Sequence, residues 1–266
     1  MYLCLDIGNS NIFVGIYAKD EIIATSRCDT LADNLTSRML GNFLLGVLTE
    51  NNIDKIEISS VVVCSVVPSL NAVIKECCNI YFESAYYIET SSLYSGLDFQ
   101  VELPETIGND RVACAVGAAF NYPGQNIIVV DLGTATTYCA ISADRKYYAG
   151  PIVLGLNSSM QALHSSTALL PVVDIIQCSK VIGRNTQDNI QSGLFFGCVS
   201  MINGITDQIT KELFPGMDVT IVGTGGGSGL FAKHNVFDDI SANLVFKGMI
   251  CLINNSRDHN GHKIVT

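Results

Sequence analysis

The sequence predicts an α/β protein in which one arrangement of strands and helices occurs twice. The segment 2–16, YLCLDIGNSNIFVGI, aligns without a gap on 127–141, IIVVDLGTATTYCAI. Each copy is typical of two antiparallel strands joined by a tight polar turn. Strand pairs alternate with helices after both copies, which favours two related α/β domains over two unrelated hairpins. The alignment pairs Asp6 with Asp131, Gly8 with Gly133, and Ile16 with Ile141.

The first domain is predicted over residues 1–122. A helix after the first hairpin is indicated by an apolar stripe, in which residues recur about every fourth position. The stripe consists of Leu31, Leu35, Met39, Phe43 and Val47. Next come a strand over 56–67, a short helix after Pro68, a strand over 85–89, and a helix that opens near Asn109.

The second domain is predicted over residues 123–266, after the turn Asn121-Tyr-Pro-Gly-Gln. Its elements follow the second hairpin in the same alternating manner. They are a strand over 146–153, a helix around 159–163, a long helix from Thr186 to about Leu213, a strand over 218–223, a glycine-rich turn, and a helix from Asn243 to about Asn255.

Composition excludes several classes of protein. The chain has 266 residues with 48% hydrophobic and 15% charged residues, which excludes intrinsic disorder. A net charge of −10 argues against binding to a nucleic acid backbone. Pro151 and His164 interrupt the longest uncharged stretch, and Asp6 lies where a signal peptide would be apolar, so we expect a cytoplasmic protein that neither spans nor binds a membrane.

Ten cysteines are present, and no two of them form a CxxC pair. Most lie among aliphatic residues, as in SVVVCSVVP, where cysteine behaves as a small core residue. The four histidines show no paired spacing with them that would suit zinc. We therefore expect buried, reduced thiols rather than disulfides or a zinc site.

The two DxG turns suit polyphosphate binding. Gly8 and Gly133 would let the backbone approach a phosphate, although a single DxG also occurs in ordinary turns. Carboxylates repel phosphate, so Asp6 and Asp131 make chemical sense only if a cation intervenes. Hydrogen bonds could come from the side chains of Asn9, Ser10, Asn11, Thr134, Thr136 and Thr137.

A glycine-rich segment, GTGGGSG at 223–229, follows a predicted strand. Ser228 stands where a dinucleotide-binding fingerprint needs its third glycine, which argues against that fold. A turn against the base or ribose of a nucleotide fits better, and a plain tight turn is the alternative. The chain contains neither a P-loop GxxxxGK[ST] nor a GxSxG nucleophile elbow.

Six segments occur in the order and spacing of the type III pantothenate kinases, which the chain resembles from about residue 4 to 255. This family belongs to the superfamily of acetate kinase, sugar kinases, chaperone ATPases and actin. The resemblance implies two duplicated actin-like (ribonuclease-H-like) α/β domains, with the nucleotide site in the cleft between them. The segments are DIGNSN, SSVVVCSVVP, IGNDR at 107–111, DLGTATT at 131–137, GRNTQDNIQSGLFFG at 183–197, and TGGGSGL at 224–230.

The resemblance also implies a role for each matching residue. Asp110 would be the catalytic base, Asp6 would lie near Mg²⁺ bound to the phosphates, and Asp131 would bind a monovalent cation, potassium or ammonium. ATP would contact Asp6, Ile7, Gly8, Asn9, Ser10, Asn11, Ile12, Phe13 and Thr134. Pantothenate would contact Gly108, Asn109, Asp110, Arg111 and Thr186.

Chemistry supports the roles of Asp110 and Arg111. Phosphoryl transfer to a hydroxyl needs a carboxylate that can accept the proton, and a guanidinium binds a substrate carboxylate with two hydrogen bonds. The alternative is an acidic residue at a helix N-terminus beside a surface arginine. Three positions depart from the family pattern: Ser10 replaces a threonine, AGPIVLG at 149–155 replaces GGxIxPG, and Val101 replaces a tyrosine that contacts pantothenate.

The resulting hypothesis is an ATP-dependent kinase that converts pantothenate to 4′-phosphopantothenate, the first step of coenzyme A biosynthesis. The resemblance further implies a homodimer, whose interface could lie on 189–206 unless that stretch is an ordinary core face. Two alternatives remain at this point. One is another small-molecule kinase of the superfamily, and the other is a nucleotide-binding regulatory protein, which would not need the base Asp110.

Overall fold

A computed structural model describes residues 1–30, 34–88 and 95–260. The chain forms two compact units. The first unit consists of Met1–Leu97, Glu102–Phe120 and Leu244–Thr266, and the second of Asp98–Val101 and Asn121–Asn243. The chain passes from the first unit to the second after Phe120, close to the expected boundary at 122. The C-terminal helix, however, belongs to the first unit, so the division differs from one with a single boundary.

In the first unit, the described residues form a sheet of five strands in the order β3-β2-β1-β4-β5. β1 and β3 flank β2 in antiparallel fashion, whereas β4 runs parallel to both β1 and β5. The strands are β1 (Tyr2–Ile7), β2 (Asn11–Ala18), β3 (Glu21–Asp29), β4 (Ser60–Ser65) and β5 (Ala85–Ile88).

Two pairs of helices cover the faces of this sheet. Leu3 and Val14 share a buried cluster with Leu44 and Ile74, which lie on α1 (Ser37–Glu50) and α2 (Asn71–Tyr81). Thr36 caps α1 by accepting a hydrogen bond from the Met39 backbone N–H at 3.2 Å. The helix thus begins later than its apolar stripe suggested, and Leu31 lies outside the described residues.

α3 (Asn109–Asn121) and α6 (Leu244–Asn260) cover the other face. Gly15 leaves room for the Phe246 ring, because a Cβ at Gly15 would lie 2.7 Å from it. A Cβ at Gly248 would overlap the carbonyl oxygen of Ala113, so the two helices are in direct backbone contact. α6 also contacts β1, β4 and β5, which explains why the C-terminal helix belongs to the first unit.

In the second unit, the sheet has the order β11-β10-β7-β8-β9-β6. Without β6, its order and strand directions are those of the first sheet, which confirms the predicted repeat. The strands are β6 (Asp98–Phe99), β7 (Asn126–Leu132), β8 (Ala135–Ile141), β9 (Lys146–Leu154), β10 (Val219–Thr224) and β11 (Asp239–Ile240).

The register shows that the gap-free alignment is wrong after the turns. Ile7 pairs with Ile12, which leaves residues 8–11 in the first turn, whereas Leu132 pairs with Thr136, which leaves only 133–135 in the second. Leu3 pairs with Ile16, and its counterpart Ile128 pairs with Ala140. Ile16 therefore corresponds to Ala140 rather than Ile141.

The core of the second unit lies under α4 (Leu156–Ser165) and α5 (Thr186–Leu213). Phe195 of α5 is fully buried and stacks on Phe231 with 5.3 Å between ring centroids. Phe196 and Met201 pack against the same cluster. The apolar stripe of α5 is therefore a core face, and this part of the structure favours the ordinary core over an interface on 189–206.

All ten cysteines lie in the described part of the chain, each with a reduced thiol, and seven of them are buried. Burial raises the pKa of the Cys4 and Cys77 thiols to about 12, so both are protonated at neutral pH. This agrees with the expectation of small core residues. Among the described helices, none is long and apolar enough to span a bilayer.

Candidate active site

The turn between β1 and β2 presents polar groups to solvent. The Gly8 backbone N–H donates to the Asn11 carbonyl at 3.0 Å and closes the turn. The side chains of Asn9, Ser10 and Asn11 are exposed, and that of Asp6 is half-buried. These are the exposed hydrogen-bonding groups that the sequence predicts for a phosphate site.

Other members of the predicted ATP segment face elsewhere. The side chains of Ile7 and Ile12 are completely buried in the core, so only their backbone could reach a ligand. The Phe13 ring contacts the Phe246 ring, with 4.5 Å between centroids. The Arg27 guanidinium lies 4.1 Å from the centroid of the Phe13 ring, within the range of a cation–π contact.

Asp6 and Asp110 share a neighbour, Cys64 of β4. Asp6 is opposite Cys64 in the β1–β4 pairing. The pKa of the Cys64 thiol is raised well above its ordinary value by burial, and further by the charges of Asp6 and Asp110. Two carboxylates from distant parts of the sequence therefore act on one buried thiol, a relation that the sequence pattern did not reveal.

The start of α3 holds Asp110 in a defined position. The Arg111 backbone N–H donates to Asp110 Oδ1 at 2.7 Å, and the Asn109 side chain donates to the Ser65 carbonyl at 3.2 Å, which ties the helix to the end of β4. Gly108 leaves space for the carboxylate, since a Cβ there would lie 2.5 Å from Asp110 Oδ1.

Burial raises the pKa of Asp110, although the Arg111 backbone hydrogen bond and guanidinium partly oppose this effect. A raised pKa makes a carboxylate a better proton acceptor than an ordinary aspartate. The electrostatics of the site thus suit a general base. An acidic residue that only caps the start of a helix is the alternative interpretation.

The turn between β7 and β8 is anchored through Thr134. The Gly133 N–H donates to the Ala135 carbonyl at 3.1 Å, and the Thr134 carbonyl accepts from the Gly155 N–H at 3.0 Å and from Ser158 Oγ at 2.7 Å. The Thr134 side chain is exposed, as a phosphate contact requires.

The next two threonines of this turn differ in their surroundings. Thr136 is fully buried, and its Oγ1 has no hydrogen-bond partner among the described residues. Its side chain therefore lies inside the unit, whereas the half-buried Thr137 lies opposite Asp131 in the β7–β8 pairing.

The glycine-rich segment packs against the end of β7. The Gly227 N–H donates to the Leu132 carbonyl at 3.0 Å. Gly225 has a φ of +80°, and a Cβ there would approach Asp131 Oδ1 to 2.2 Å. Glycine is thus required next to this carboxylate by both backbone conformation and space. A contact with base or ribose remains a prediction.

The remaining predicted residues lie in the second unit. Thr186 begins α5, whose N-cap Asn185 accepts from the Asp188 N–H at 2.8 Å. Val101 is half-buried and follows β6. Thr186 lines a cavity of about 450 Å³ together with Leu163, Leu170, Asn189, Ile190, Gly193 and Leu194.

The carboxylates of the candidate site fit cations that take only some of their ligands from the protein. No group of three or more His, Cys, Asp or Glu side chains suited to a metal ion occurs in the parts of the chain that the structure describes. Single carboxylates at Asp6 and Asp131 suit Mg²⁺ coordinated mainly by phosphates, or a monovalent ion with backbone carbonyl ligands.

Comparison with known sequences gives a consistent result. Residues 2–208 match the sequence profile of the family described as type III pantothenate kinase. A type III pantothenate kinase of Legionella pneumophila (strain Paris) is 39% identical over 249 residues, covering 94% of this chain and 96% of that protein. One from Elusimicrobium minutum is 37% identical over 257 residues, covering 97% and 99%.

Solved structures match over nearly the whole chain at low identity. A Campylobacter jejuni protein described as a Baf family transcriptional activator has a TM-score of 0.57 at 19% identity, with 96% of this chain and 99% of that chain covered. The activator of the 2-hydroxyisocaproyl-CoA dehydratase from Clostridium difficile, with bound ADPNP, has a TM-score of 0.51 at 10% identity and covers 100% and 99%. These likenesses show the fold, two actin-like α/β units.

Proposed function

The chain belongs to the type III pantothenate kinase family and is a kinase that phosphorylates pantothenate with ATP; from this premise we propose that Asp110 is its general base. The observation that carries the proposal is the half-buried Asp110 carboxylate, fixed at the start of α3 with a raised pKa. A positioned carboxylate is what phosphoryl transfer to a hydroxyl requires.

In this mechanism Asp110 accepts the proton of the terminal hydroxyl of pantothenate. The oxygen attacks the γ-phosphorus of ATP, the bond from that phosphorus to the β,γ-bridging oxygen breaks, and ADP leaves with the electron pair. Arg111 would bind the carboxylate of pantothenate. Gly108, Asn109 and Thr186 are the further pantothenate contacts of this proposal.

The turn over Asp6–Phe13 would hold the phosphates of ATP, and Thr134 would add a contact. The exposed Asn9, Ser10 and Asn11 support the first assignment, whereas Ile7, Ile12 and Phe13 would contribute through the backbone. Asp6 would help to hold Mg²⁺, which would supply positive charge to the phosphates when bound.

Asp131 is proposed as the site of a monovalent cation, potassium or ammonium. The half-buried carboxylate lies against the backbone of Gly225, since a Cβ there would approach Asp131 Oδ1 to 2.2 Å. A carboxylate beside a polyphosphate raises the energy of the bound anion unless a cation compensates it. The kinase would therefore need such an ion for full activity.

A homodimer is proposed for the assembly. The second unit exposes several apolar side chains between α4 and α5, among them Leu169 at 91% and Ile182 at 80% exposure. Contiguous exposed apolar surface is typical of interaction sites, and this segment supplies apolar side chains for one in this proposal. The ten reduced cysteines suit a reducing compartment, and we propose the cytoplasm.

A single assay tests the function. ADP release from MgATP should require pantothenate, should yield 4′-phosphopantothenate by mass spectrometry, and should be faster in potassium or ammonium than in sodium. ATP hydrolysis without dependence on pantothenate would overturn the proposal. Transfer to other small alcohols instead would favour another kinase of the superfamily.

A further inference from the structure

Thr30, at the end of β3, makes two hydrogen bonds to the turn at Gly8. Its side chain is 1% exposed, and Oγ1 donates to the Gly8 carbonyl at 2.6 Å. Its backbone N–H donates to the Ser10 carbonyl at 3.0 Å. One buried residue therefore binds two carbonyl groups of this turn. The exposed side of the same turn was proposed above to face the phosphates of ATP.

The peptide bond makes these contacts directional. In a planar trans peptide, the C=O of one residue and the N–H of the next point in opposite directions. Fixing the Gly8 carbonyl toward Thr30 turns the Asn9 N–H away from it, and fixing the Ser10 carbonyl does the same for the Asn11 N–H. Oriented backbone N–H groups in a turn are what binds phosphate in such loops.

The turn of the second unit is also anchored by a hydroxyl and an N–H, but both donate to one carbonyl, the equivalent of that of Ser10. By the register, Thr134 corresponds to Ser10, and its carbonyl accepts from the N–H of Gly155, the residue after β9. Here the hydroxyl comes from Ser158 of α4, which donates to the same carbonyl. A hydroxyl and an N–H from beyond the third strand therefore anchor both turns.

We propose that Thr30 is a positioning residue for ATP, which acts by orienting the backbone of the Gly8 turn. The inference rests on the proposed role of that turn in phosphate binding. The hydroxyl, rather than the shape of the side chain, is the group that matters, because the carbonyl of Gly8 loses a hydrogen-bond donor when the oxygen is removed. Thr30 itself touches no substrate.

The test compares Thr30→Val, which keeps the shape, with Thr30→Ser, which keeps the hydroxyl. Loss of one neutral hydrogen bond should raise the KM for ATP, and the Kd for an ATP analogue in calorimetry, about three- to tenfold in the valine variant. The KM for pantothenate should not change, and the serine variant should bind ATP as the unmodified chain does. If the valine variant does not fold, Thr30→Ala serves in its place.

A matched control is Thr49→Val. Thr49 donates a hydrogen bond of the same kind to the Leu45 carbonyl at 2.9 Å on α1. The Thr49→Val substitution should leave the KM for ATP and the KM for pantothenate unchanged.

An unchanged affinity for the ATP analogue in Thr30→Val, or an equal change in both KM values together with a lower Tm, would overturn the inference. An unmodified chain that binds the analogue but does not phosphorylate pantothenate would overturn the proposed function and leave the calorimetric test of Thr30 valid.

Discussion

The turns at Gly8 and Gly133 are built on equivalent strand pairs, but the carboxylate that precedes each turn has different neighbours. Asp6 is opposite the buried thiol of Cys64, which also senses the charge of Asp110. Asp131 lies opposite Thr224, and the backbone of Gly225 approaches its oxygen. One copy therefore has a second carboxylate nearby, and the other has a glycine-rich turn in contact with it.

The roles proposed for these carboxylates would divide one reaction between the two copies of the fold. In the first unit, burial raises the pKa of Asp110, which suits proton transfer. In the second unit, the backbone of Gly225 approaches the Asp131 carboxylate, for which a cation-binding role is proposed. Each unit places a glycine next to one of these carboxylates. A Cβ at Gly108 would approach Asp110 Oδ1, and a Cβ at Gly225 would approach Asp131 Oδ1.

The largest effect is expected from Asp110→Asn, which removes the proton acceptor and keeps the shape. We expect kcat to fall about 10²- to 10⁴-fold, while the affinity for an ATP analogue stays nearly unchanged. Steady-state kinetics together with calorimetry provide the measurement. A kcat within a few-fold of the unmodified chain would mean that the first unit does not carry the base.

The same substitution should not reduce the free energy of unfolding at neutral pH. A carboxyl whose pKa is raised by folding stabilises the folded state when protonated, and that stabilisation is lost as pH rises through the raised pKa. Asn at 110 cannot ionise and avoids the loss. Thermal denaturation should therefore give a Tm at pH 7 equal to or above that of the unmodified chain, and a clear decrease would contradict the raised pKa.

The second turn is tested by Asp131→Ala. Removing a positioned electrostatic group from a phosphoryl-transfer site should lower kcat about 10²-fold, and the remaining activity should no longer distinguish potassium from sodium. Rates measured in chloride salts of both ions at equal ionic strength give the comparison. Full activity of the variant, or equal rates of the unmodified chain in both salts, would exclude a cation role for Asp131.

The conformation next to Asp131 is tested by Gly225→Ala. A non-glycine residue at a φ of +80° is strained, by about 1–3 kcal/mol, and its Cβ would overlap the Asp131 carboxylate. We expect a lower Tm and a higher potassium concentration for half-maximal activity. Gly229→Ala is the matched control, since a Cβ at Gly229 would meet no atom within 4 Å. A control that lowers Tm as much as Gly225→Ala would contradict the argument.

Much of this architecture could be predicted from the sequence because the repeat is local. Hydrophobic periodicity and the DxG turns indicate two strand pairs, and the sheet orders agree with that duplication. The one-residue difference between the turns could not be seen, since DIGNSN and DLGTAT align equally well without a gap. Register depends on the hydrogen bonds across the strands, which put Ile16 and Ala140 at equivalent positions.

Contacts between distant segments could not be predicted for the same reason. Nothing near Thr30 in sequence shows that its hydroxyl donates to Gly8, or that Cys64 lies next to Asp6 and Asp110. The position of α6 in the first unit depends on close backbone contacts at Gly248, which a helical pattern alone does not reveal. Topology determines these contacts, and composition and spacing do not.

The two sheets also differ at one edge, where the second has an additional strand. β6 pairs with β9 in parallel, and among residues 1–30, 34–88 and 95–260 the first sheet has no counterpart to it. Val101 follows this strand at the position where the family resemblance implies a tyrosine that contacts pantothenate. The edge that distinguishes the two described sheets therefore leads into one of the three places where the sequence departs from the expected family pattern.

The smallest effect is expected from Val101→Tyr. Valine offers no hydrogen bond, and Val101 is only half-buried, so the larger side chain has an exit toward solvent. A restored hydrogen bond is worth about 0.5–1.5 kcal/mol, so the KM for pantothenate should fall about two- to tenfold while the KM for ATP stays constant.

Val101→Phe is the matched control, because it adds the ring without the hydroxyl. If phenylalanine lowers the KM equally, packing and not a hydrogen bond is responsible. If tyrosine leaves the KM unchanged or raises it, Val101 does not mark a missing contact, and the additional strand has no part in recognising pantothenate through this position.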